Sequence, residues 1–247
     1  MTSSRSIVIT GGTSGIGKAA ALGFAQAGWR VATCGRRADR LAAVKAESAL
    51  ALARVADVSN PDDVAKFFGD AKAALGGIDV VFNNAGAFAP ATLFGDLAVD
   101  TWRQMIDVNL NGAFYVAREA FRAMREQSPQ GGRIINNGSI SAYVPRPGAA
   151  SYTASKHAIT GLTKAISLDG RPFRIACGQI DIGNTATDMT ASMSSGSLQA
   201  DGSTKAEPTF NVKHVVDALL YMATLPLEAN VQFMTVMATT MPYIGRG

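Results

Sequence analysis

The chain has 247 residues, 47% of them hydrophobic and 17% charged, with 25 glycines, two cysteines and a net charge of +4 at neutral pH. That balance excludes intrinsic disorder, which needs low hydrophobicity and high charge, and so few cysteines exclude a disulfide-stapled mini-domain. The basic residues are scattered, no apolar run reaches the ~18 residues of a membrane span and no secretory leader is seen. A soluble, cytoplasmic protein with no nucleic-acid or membrane partner is therefore expected.

In chain order, apolar β-rich runs alternate with amphipathic stretches. Residues 6–10 predict a strand, 15–28 a helix, 30–34 a strand and 37–48 a helix. A strand at 50–55 follows, then a helix at 61–75 opened by the Asn60-Pro61 start signal, then a strand at 78–82 that is apolar except for Asp79. After a loop rich in Gly, Ala and Pro come one long helix at 101–127, a strand at 133–137, a helix at 151–168 and a strand at 174–180. A helix at 212–224 and a strand at 231–237 complete about seven β/α units. Strands apolar on both faces belong in parallel sheets covered by helices. The alternation predicts a single doubly wound α/β domain over residues 1–247, with about seven parallel strands and helices on both faces.

Segment 184–210 breaks this regularity, being rich in Ser, Thr, Gly, Ala and Met without a clear period. It follows the sixth strand, at the carboxyl edge of the sheet where α/β folds bind ligands, and reads as a substrate lid; a mobile loop without function is the alternative. Met189, Met193, Leu198 and Phe210 would give that lid an adaptable apolar lining, or serve as plain packing.

Chemistry enters at Thr10-Gly11-Gly12-Thr13-Ser14-Gly15-Ile16-Gly17, between the first strand and the first helix. Glycines there permit a tight turn and let the backbone approach a pyrophosphate, whose charge meets the free N–H groups of the helix start. Asn83-Asn84-Ala85-Gly86 follows the fourth strand, Asn109 lies in Asp107-Val108-Asn109-Leu110-Asn111-Gly112, and Ser139 ends the fifth strand. Tyr152-Thr153-Ala154-Ser155-Lys156 opens the next helix, so Tyr152 and Lys156 at i and i+4 share one face. An ammonium beside a phenol favours the phenolate, drawing the tyrosine pKa from ~10 towards working pH as general acid–base catalysis requires.

The spacing T-G-x-x-x-G-x-G, followed in order by N-N-A-G, a serine and Y-x-x-x-K, resembles the short-chain dehydrogenase/reductase family over nearly the whole chain. The resemblance implies a Rossmann-type fold and hydride transfer between a nicotinamide and a small-molecule carbonyl or alcohol. It implies a catalytic set of Asn109, Ser139, Tyr152 and Lys156; Ser139 is preferred to Ser141 because it precedes Tyr152 by thirteen residues, the family separation. Tyr152 is then the general acid/base, Ser139 steadies the charge on the carbonyl oxygen, Lys156 also holds the nicotinamide ribose, and Asn109 holds a water that links Lys156 to solvent. The implied cofactor contacts are Gly11, Thr13, Ser14, Gly15, Ile16 and Gly17 at the turn, Asp57 and Val58 at the adenine, Asn83, Asn84, Ala85 and Gly86, and Tyr152, Lys156, Gly183 and Thr187. In the family the helices matching 101–127 and 151–168 pair between subunits, so a homodimer or homotetramer is implied.

At the end of the second strand, where an NAD-preferring fold carries Asp or Glu, this chain has Gly35 followed by Arg36 and Arg37. Two guanidiniums suit a 2′-phosphate, so NADP(H) is the expected cofactor, with NAD(H) possible; solvated helix-start residues are the alternative reading. The chain departs from the family after the sixth strand, where Asn-x-x-x-Pro-Gly is replaced by a run with Gly178 at the Asn place and Ile182 at the Pro place. Losing the fixed φ of proline is expected to loosen or reshape that turn. Cys34, Cys177, His157 and His214 read as structural or exposed, and no metal site is expected. Two other functions stay open, a non-catalytic NAD(P)-binding regulator and an epimerase or dehydratase on the same scaffold.

Overall fold

Along the first strand, β1 (Ser6–Thr10), Val8 packs into one apolar layer while Ile7 and Ile9 pack into a second on the opposite side. A strand whose alternating residues are apolar on both sides is one covered on both faces. The computed structural model describes residues 4–187 and 196–244. From β1 the chain continues through α1 (Gly15–Gln26), β2 (Arg30–Gly35), α2 (Ala38–Glu47), β3 (Leu52–Val55), α3 (Pro61–Leu75) and β4 (Val80–Asn83). Helices α4 (Val99–Ile106) and α5 (Gly112–Glu126), joined by a π turn at Asp107–Asn111, precede β5 (Gly132–Asn137), α6 (Ala150–Asp169) and β6 (Ile175–Ile182). The short strands β7 (Thr185–Ala186), β8 (Ser197–Leu198), β9 (Thr204–Lys205) and β10 (Phe210–Asn211) lead to α7 (Lys213–Thr224) and β11 (Phe233–Val236).

The main sheet has seven strands in the order β11-β6-β5-β4-β1-β2-β3, every pair parallel. Helices α3 and α5 cover one face, where Val64, Phe67, Phe68, Val116 and Met124 pack on Val8, Val81 and Ile134. Helices α1 and α7 cover the other, where Ala20, Phe24, Val215 and Leu219 pack on Ile9, Phe82 and Ile180. Burying a side chain of this size contributes roughly 1.5–3 kcal/mol. Helix α3 shows how local signals set the element ends: the Asn60 side chain accepts from the N–H groups of Asp62 and Asp63, Pro61 needs no partner there, and Gly76 terminates the helix at φ +73°. Strand order reverses at β1, because β2 and β3 lie on one side of it and β4 on the other. A crevice therefore opens at the carboxyl ends of β1 and β4, the switch point at which such sheets bind ligands.

Two expectations change, and the ends of segment 184–210 gain a definite structure. The single helix expected at 101–127 is interrupted by the π turn, and Asn109 within it reaches across to Ala87, accepting from its N–H at 2.7 Å and donating to its C=O at 3.0 Å. A π turn adds one residue to a helical turn and re-aims the side chain it carries. Segment 184–210 is closed at its root, since β7 pairs with β10 and the Phe210 N–H donates to the Asn184 carbonyl at 3.1 Å, while β8 and β9 pair further out. Met189 and Met193 lie outside the described residues. The turn after β6 is not loosened: Ile182 has the N–H that proline lacks, β6 runs through it in register with Val236, and the Gly183 N–H donates to the Val236 carbonyl at 2.8 Å. Gly178, in the place of the family's Asn, lies so close to the Val231 carbonyl that any Cβ would overlap it. No helix among the described residues is long and apolar enough to cross a membrane.

Candidate active site

The crevice is a cleft of about 630 Å³. At one end β1 feeds the glycine turn. Thr10 is fully buried, and its hydroxyl oxygen accepts from the N–H groups of Asn84 and Ala85, both at 3.0 Å, so the turn and the loop after β4 are fastened together. Gly15 sits at φ +53°, and a Cβ on Gly17 would overlap the Gly11 carbonyl. Helix α1 starts after Ser14, whose side chain makes no bond to the exposed N–H groups, and its first turn has no acidic residue. Its free N–H groups and positive dipole end meet the cleft uncompensated, which fits a phosphate group.

Most residues expected from the sequence line this cleft. Gly11, Thr13, Ser14, Gly15, Ile16 and Gly17 form the glycine-turn end, with Thr187 beside Gly15; Arg36, Arg37, Asp57 and Val58 line the cleft on one side, Asn84, Ala85 and Gly86 on another, and Ser139, Tyr152, Lys156 and Gly183 also line it. Asn83 and Asn109 are the exceptions, neither of them among the lining residues. Asn83 is buried and donates to the Ala113 carbonyl at 2.8 Å and to Asn136 Oδ1 at 3.0 Å, because strand alternation turns it towards α5 while Asn84 faces the cleft. The Asn109 side chain is committed to Ala87.

Around the second strand, the Arg37 guanidinium donates to Ser14 Oγ at 3.0 Å and to Thr13 Oγ1 at 3.3 Å, and Arg36 lies 4.0 Å from the Asp57 carboxylate. A Cβ on Gly35 would stand 2.5 Å from Thr13 Cγ2, which leaves no room for an acidic side chain. Arg40 also lines the cleft. It was not anticipated, although its place in the first turn of α2, three residues after the capping Arg37, is a signal that would have found it.

At the far end Lys156 is buried on α6, its Nζ donating to the Asn137 carbonyl at 2.7 Å and lying 5.6 Å from the centre of the Tyr152 ring. Ser139 Oγ accepts from the Ser141 N–H at 3.1 Å, and the Ser139 N–H donates to Asp181 Oδ1 at 2.9 Å. Phe88 packs on Tyr152 with ring centres 4.2 Å apart. Burial pushes the Lys156 ammonium down to about 8, against the opposing pull of Asp181. The Tyr152 phenol was expected to be lowered by Lys156, but burial raises it, while the hydrogen bond with Ser139 and the Arg146 charge pull it back and Asp181 raises it further. Loss of water around the phenol thus outweighs the nearby positive charges in this cleft. Burial also holds both thiols, Cys34 and Cys177, at about 12, well away from thiolate chemistry.

Phe88, Arg146, Asn184 and buried Asp181 were not anticipated from the sequence. Arg146 donates to Asn184 Oδ1 at 2.8 Å and pairs with the Glu207 carboxylate, which also accepts from Asn184 Nδ2 at 2.8 Å. This buried cluster ties the segment after β6 to the loop carrying Ser139. Among the described residues, no group of His, Cys, Asp and Glu could hold a metal ion.

Comparison with known proteins agrees with this architecture. Residues 5–197 match the family model for short chain dehydrogenases. The chain is 39% identical over 188 residues to the 3beta-hydroxysteroid dehydrogenase of Mediterraneibacter gnavus, covering 74% of this chain and 67% of that relative. Its structure resembles the closed form of serine dehydrogenase complexed with NADP+, at a TM-score of 0.85 and 25% identity over 98% of each chain. The fold is shared with 3-ketoacyl-(acyl-carrier-protein) reductase from Brucella melitensis complexed with NADH, at a TM-score of 0.84 and 23% identity over 94% of this chain and 96% of that one. A family match running through the glycine turn, Ser139 and the Tyr-Lys helix leaves one assignment: the protein belongs to the short-chain dehydrogenase/reductase family, an NAD(P)-dependent oxidoreductase of CH–OH groups.

Proposed function

We propose that this protein interconverts a bulky apolar secondary alcohol and its ketone, with NADP(H) as the preferred cofactor, NAD(H) as a possible one, and Tyr152 as general acid/base. The observation that carries the reading is that Ser139, Tyr152 and Lys156 line the same cleft as the phosphate turn. When bound, the nicotinamide supplies or takes up the hydride. In reduction the Tyr152 hydroxyl gives its proton to the carbonyl oxygen, and in oxidation it takes the proton back. Ser139 Oγ donates to the same oxygen and steadies the charge that develops there. Lys156, anchored on the Asn137 carbonyl, would hold the ribose hydroxyls and face the phenol with a positive charge.

The preference for NADP(H) is supported by Arg36, Arg37 and Arg40 beside the cleft and by the crowding at Gly35 that excludes a carboxylate. The substrate class is supported by Phe88 stacked on Tyr152, by Ile140 and Ile182 in the lining, and by the relative named 3beta-hydroxysteroid dehydrogenase. The same reading treats residues 1–247 as one unit with 184–210 as the substrate lid, and expects a homo-oligomer through the helices that expose Trp102, Phe114 and Leu168.

Turnover of a 3β-hydroxysteroid, measured with NADP+ and with NAD+ at limiting cofactor, tests substrate and cofactor together. Higher efficiency with NAD+ would overturn the cofactor preference, and turnover only of small polar alcohols would overturn the substrate class. Tyr152→Phe is expected to lower turnover ~100- to 10,000-fold while the Kd for NADPH changes by no more than about threefold. A variant that stays active without the hydroxyl would remove Tyr152 from the mechanism.

A further inference from the structure

Beneath the Ser139 turn lies a carboxylate that the mechanism above does not use. Asp181 is fully buried near the end of β6. Its Oδ1 accepts from the Ser139 N–H at 2.9 Å and from Gln179 Nε2 at 2.8 Å, and its Oδ2 accepts from the Tyr143 hydroxyl at 3.2 Å. Burial raises the Asp181 carboxyl above its ordinary range, while these three donors and the Lys156 charge pull it back towards the ionised form, which offers only acceptors. The fit is close, since a Cβ at Gly138 would overlap Asp181 Oδ1. Gln179 is itself held: its Nε2 also donates to Thr160 Oγ1 at 3.1 Å, and its Oε1 accepts from Thr163 Oγ1 at 3.0 Å, both on α6. A buried polar chain therefore runs from the middle of α6 to the backbone of Ser139.

We propose that Asp181 is a positioning residue of the active site, clamping the Ser139 backbone from below and presenting a buried negative charge to the Tyr152–Lys156 pair. The proposal rests on the reading that Ser139 and Tyr152 act on substrate. Ser139 is held at two points, its N–H on Asp181 and its Oγ by the Ser141 N–H, so the hydroxyl that must meet the carbonyl oxygen is fixed relative to β6. The charged and titratable groups that face this site are Lys156 and Tyr152 from α6, Tyr143 and Arg146 from the loop after β5, and Asp181 itself from β6, with Tyr243 acting on Tyr143 and Glu207 paired with Arg146. Asp181 and Arg146 act on Tyr152 with opposite sign, Asp181 favouring the protonated phenol and Arg146 the phenolate. The same negative charge favours the ammonium form of Lys156. Asp181 thus keeps a proton on both members of the pair, which suits a group that must donate to a carbonyl oxygen.

The test needs no substrate. The ultraviolet phenolate signal of Tyr152 is isolated by subtracting the alkaline titration of Tyr152→Phe from that of the parent, and that of Asp181→Asn/Tyr152→Phe from that of Asp181→Asn. Asparagine keeps the shape and an accepting oxygen but removes the charge. Tyr152 is expected to titrate ~0.5–1 pH unit earlier in Asp181→Asn than in the parent. Asp181→Ser, a smaller neutral replacement, is expected to move it the same way. A midpoint that stays in place or moves up in the folded variants overturns the proposal. Failure of both neutral variants to fold also overturns it, by assigning Asp181 to folding alone. If instead Tyr152 shifts as expected while Tyr152→Phe keeps its turnover, the clamp stands and the catalytic reading of Tyr152 falls.

Discussion

The two ends of the cleft are made differently. At the glycine-turn end several side chains matter by their absence: Gly17 admits the Gly11 carbonyl, Gly35 admits Thr13, and α1 leaves its first N–H groups without a side-chain cap. At the far end the contacts are side chains, and Lys156, Asp181, Arg146 and Glu207 are charged groups largely withdrawn from water. The first end works by steric permission, which a single added methyl group can withdraw. The second depends on balanced charges, which a mutation shifts by degrees.

Changes at both ends can sharpen or break that contrast. The most abrupt effect is expected from Gly17→Val, whose side chain cannot share space with the Gly11 carbonyl and Asn84; overpacking of ~2–3 kcal/mol corresponds to roughly a 30- to 150-fold loss of NADPH affinity by fluorescence titration. Near-normal affinity would show that the turn can yield. Lys156→Met is expected to act through stability and with a definite sign. The unfolded lysine takes up a proton below its ordinary 10.5 but the buried one only below about 8, so its burial costs stability fully below about 8 and ceases to cost it as pH rises to 10.5. At 1.36 kcal/mol per unit the span is about 3 kcal/mol. In melting experiments the variant should gain on the parent at pH 7–8 and lose that gain towards about 10.5; a gain that grows with pH would contradict the burial argument. The smallest effect is expected from Arg37→Ser, which removes an exposed guanidinium: about tenfold weaker NADPH binding, with NADH binding unchanged within about twofold. Equal losses for the two cofactors would mean that Arg37 supports the glycine turn through Thr13 and Ser14 rather than reading a phosphate.

What could be read from the chain follows the same division. Strand and helix order was legible because burial on both faces writes continuous apolar runs, and α3 carried its cap, Pro61 and Gly76 in the sequence itself. The glycine turn was legible because its constraint is local, and Tyr152 with Lys156 because one helical turn brings them together. Asp181 and Arg146 were not, since their partners lie 42 and 61 residues away, at Ser139 and Glu207. Asn83 was assigned to the cleft because adjacent residues look alike in a motif, yet in a strand they face opposite ways. The missing proline was read as a weakness, yet β6 continues through Ile182 in register with Val236, and the next residue, Gly183, donates to the Val236 carbonyl. The π turn at Asp107–Asn111 joins two helices with no break in the chain, so a stretch of helix-forming residues reads as one continuous helix although one turn carries an extra residue.

The pairing of β7 with β10 has a consequence beyond closing the root of segment 184–210. With its two ends held side by side, the segment they enclose is a cassette: its length can change while the sheet below feels only the same short crossing. Doubling such a loop adds only ~0.6 kcal/mol of closure entropy, so new recognition loops could be exchanged here at little cost to folding. Redesign for another alcohol would begin between Thr187 and Thr209, leaving the dinucleotide platform as it stands.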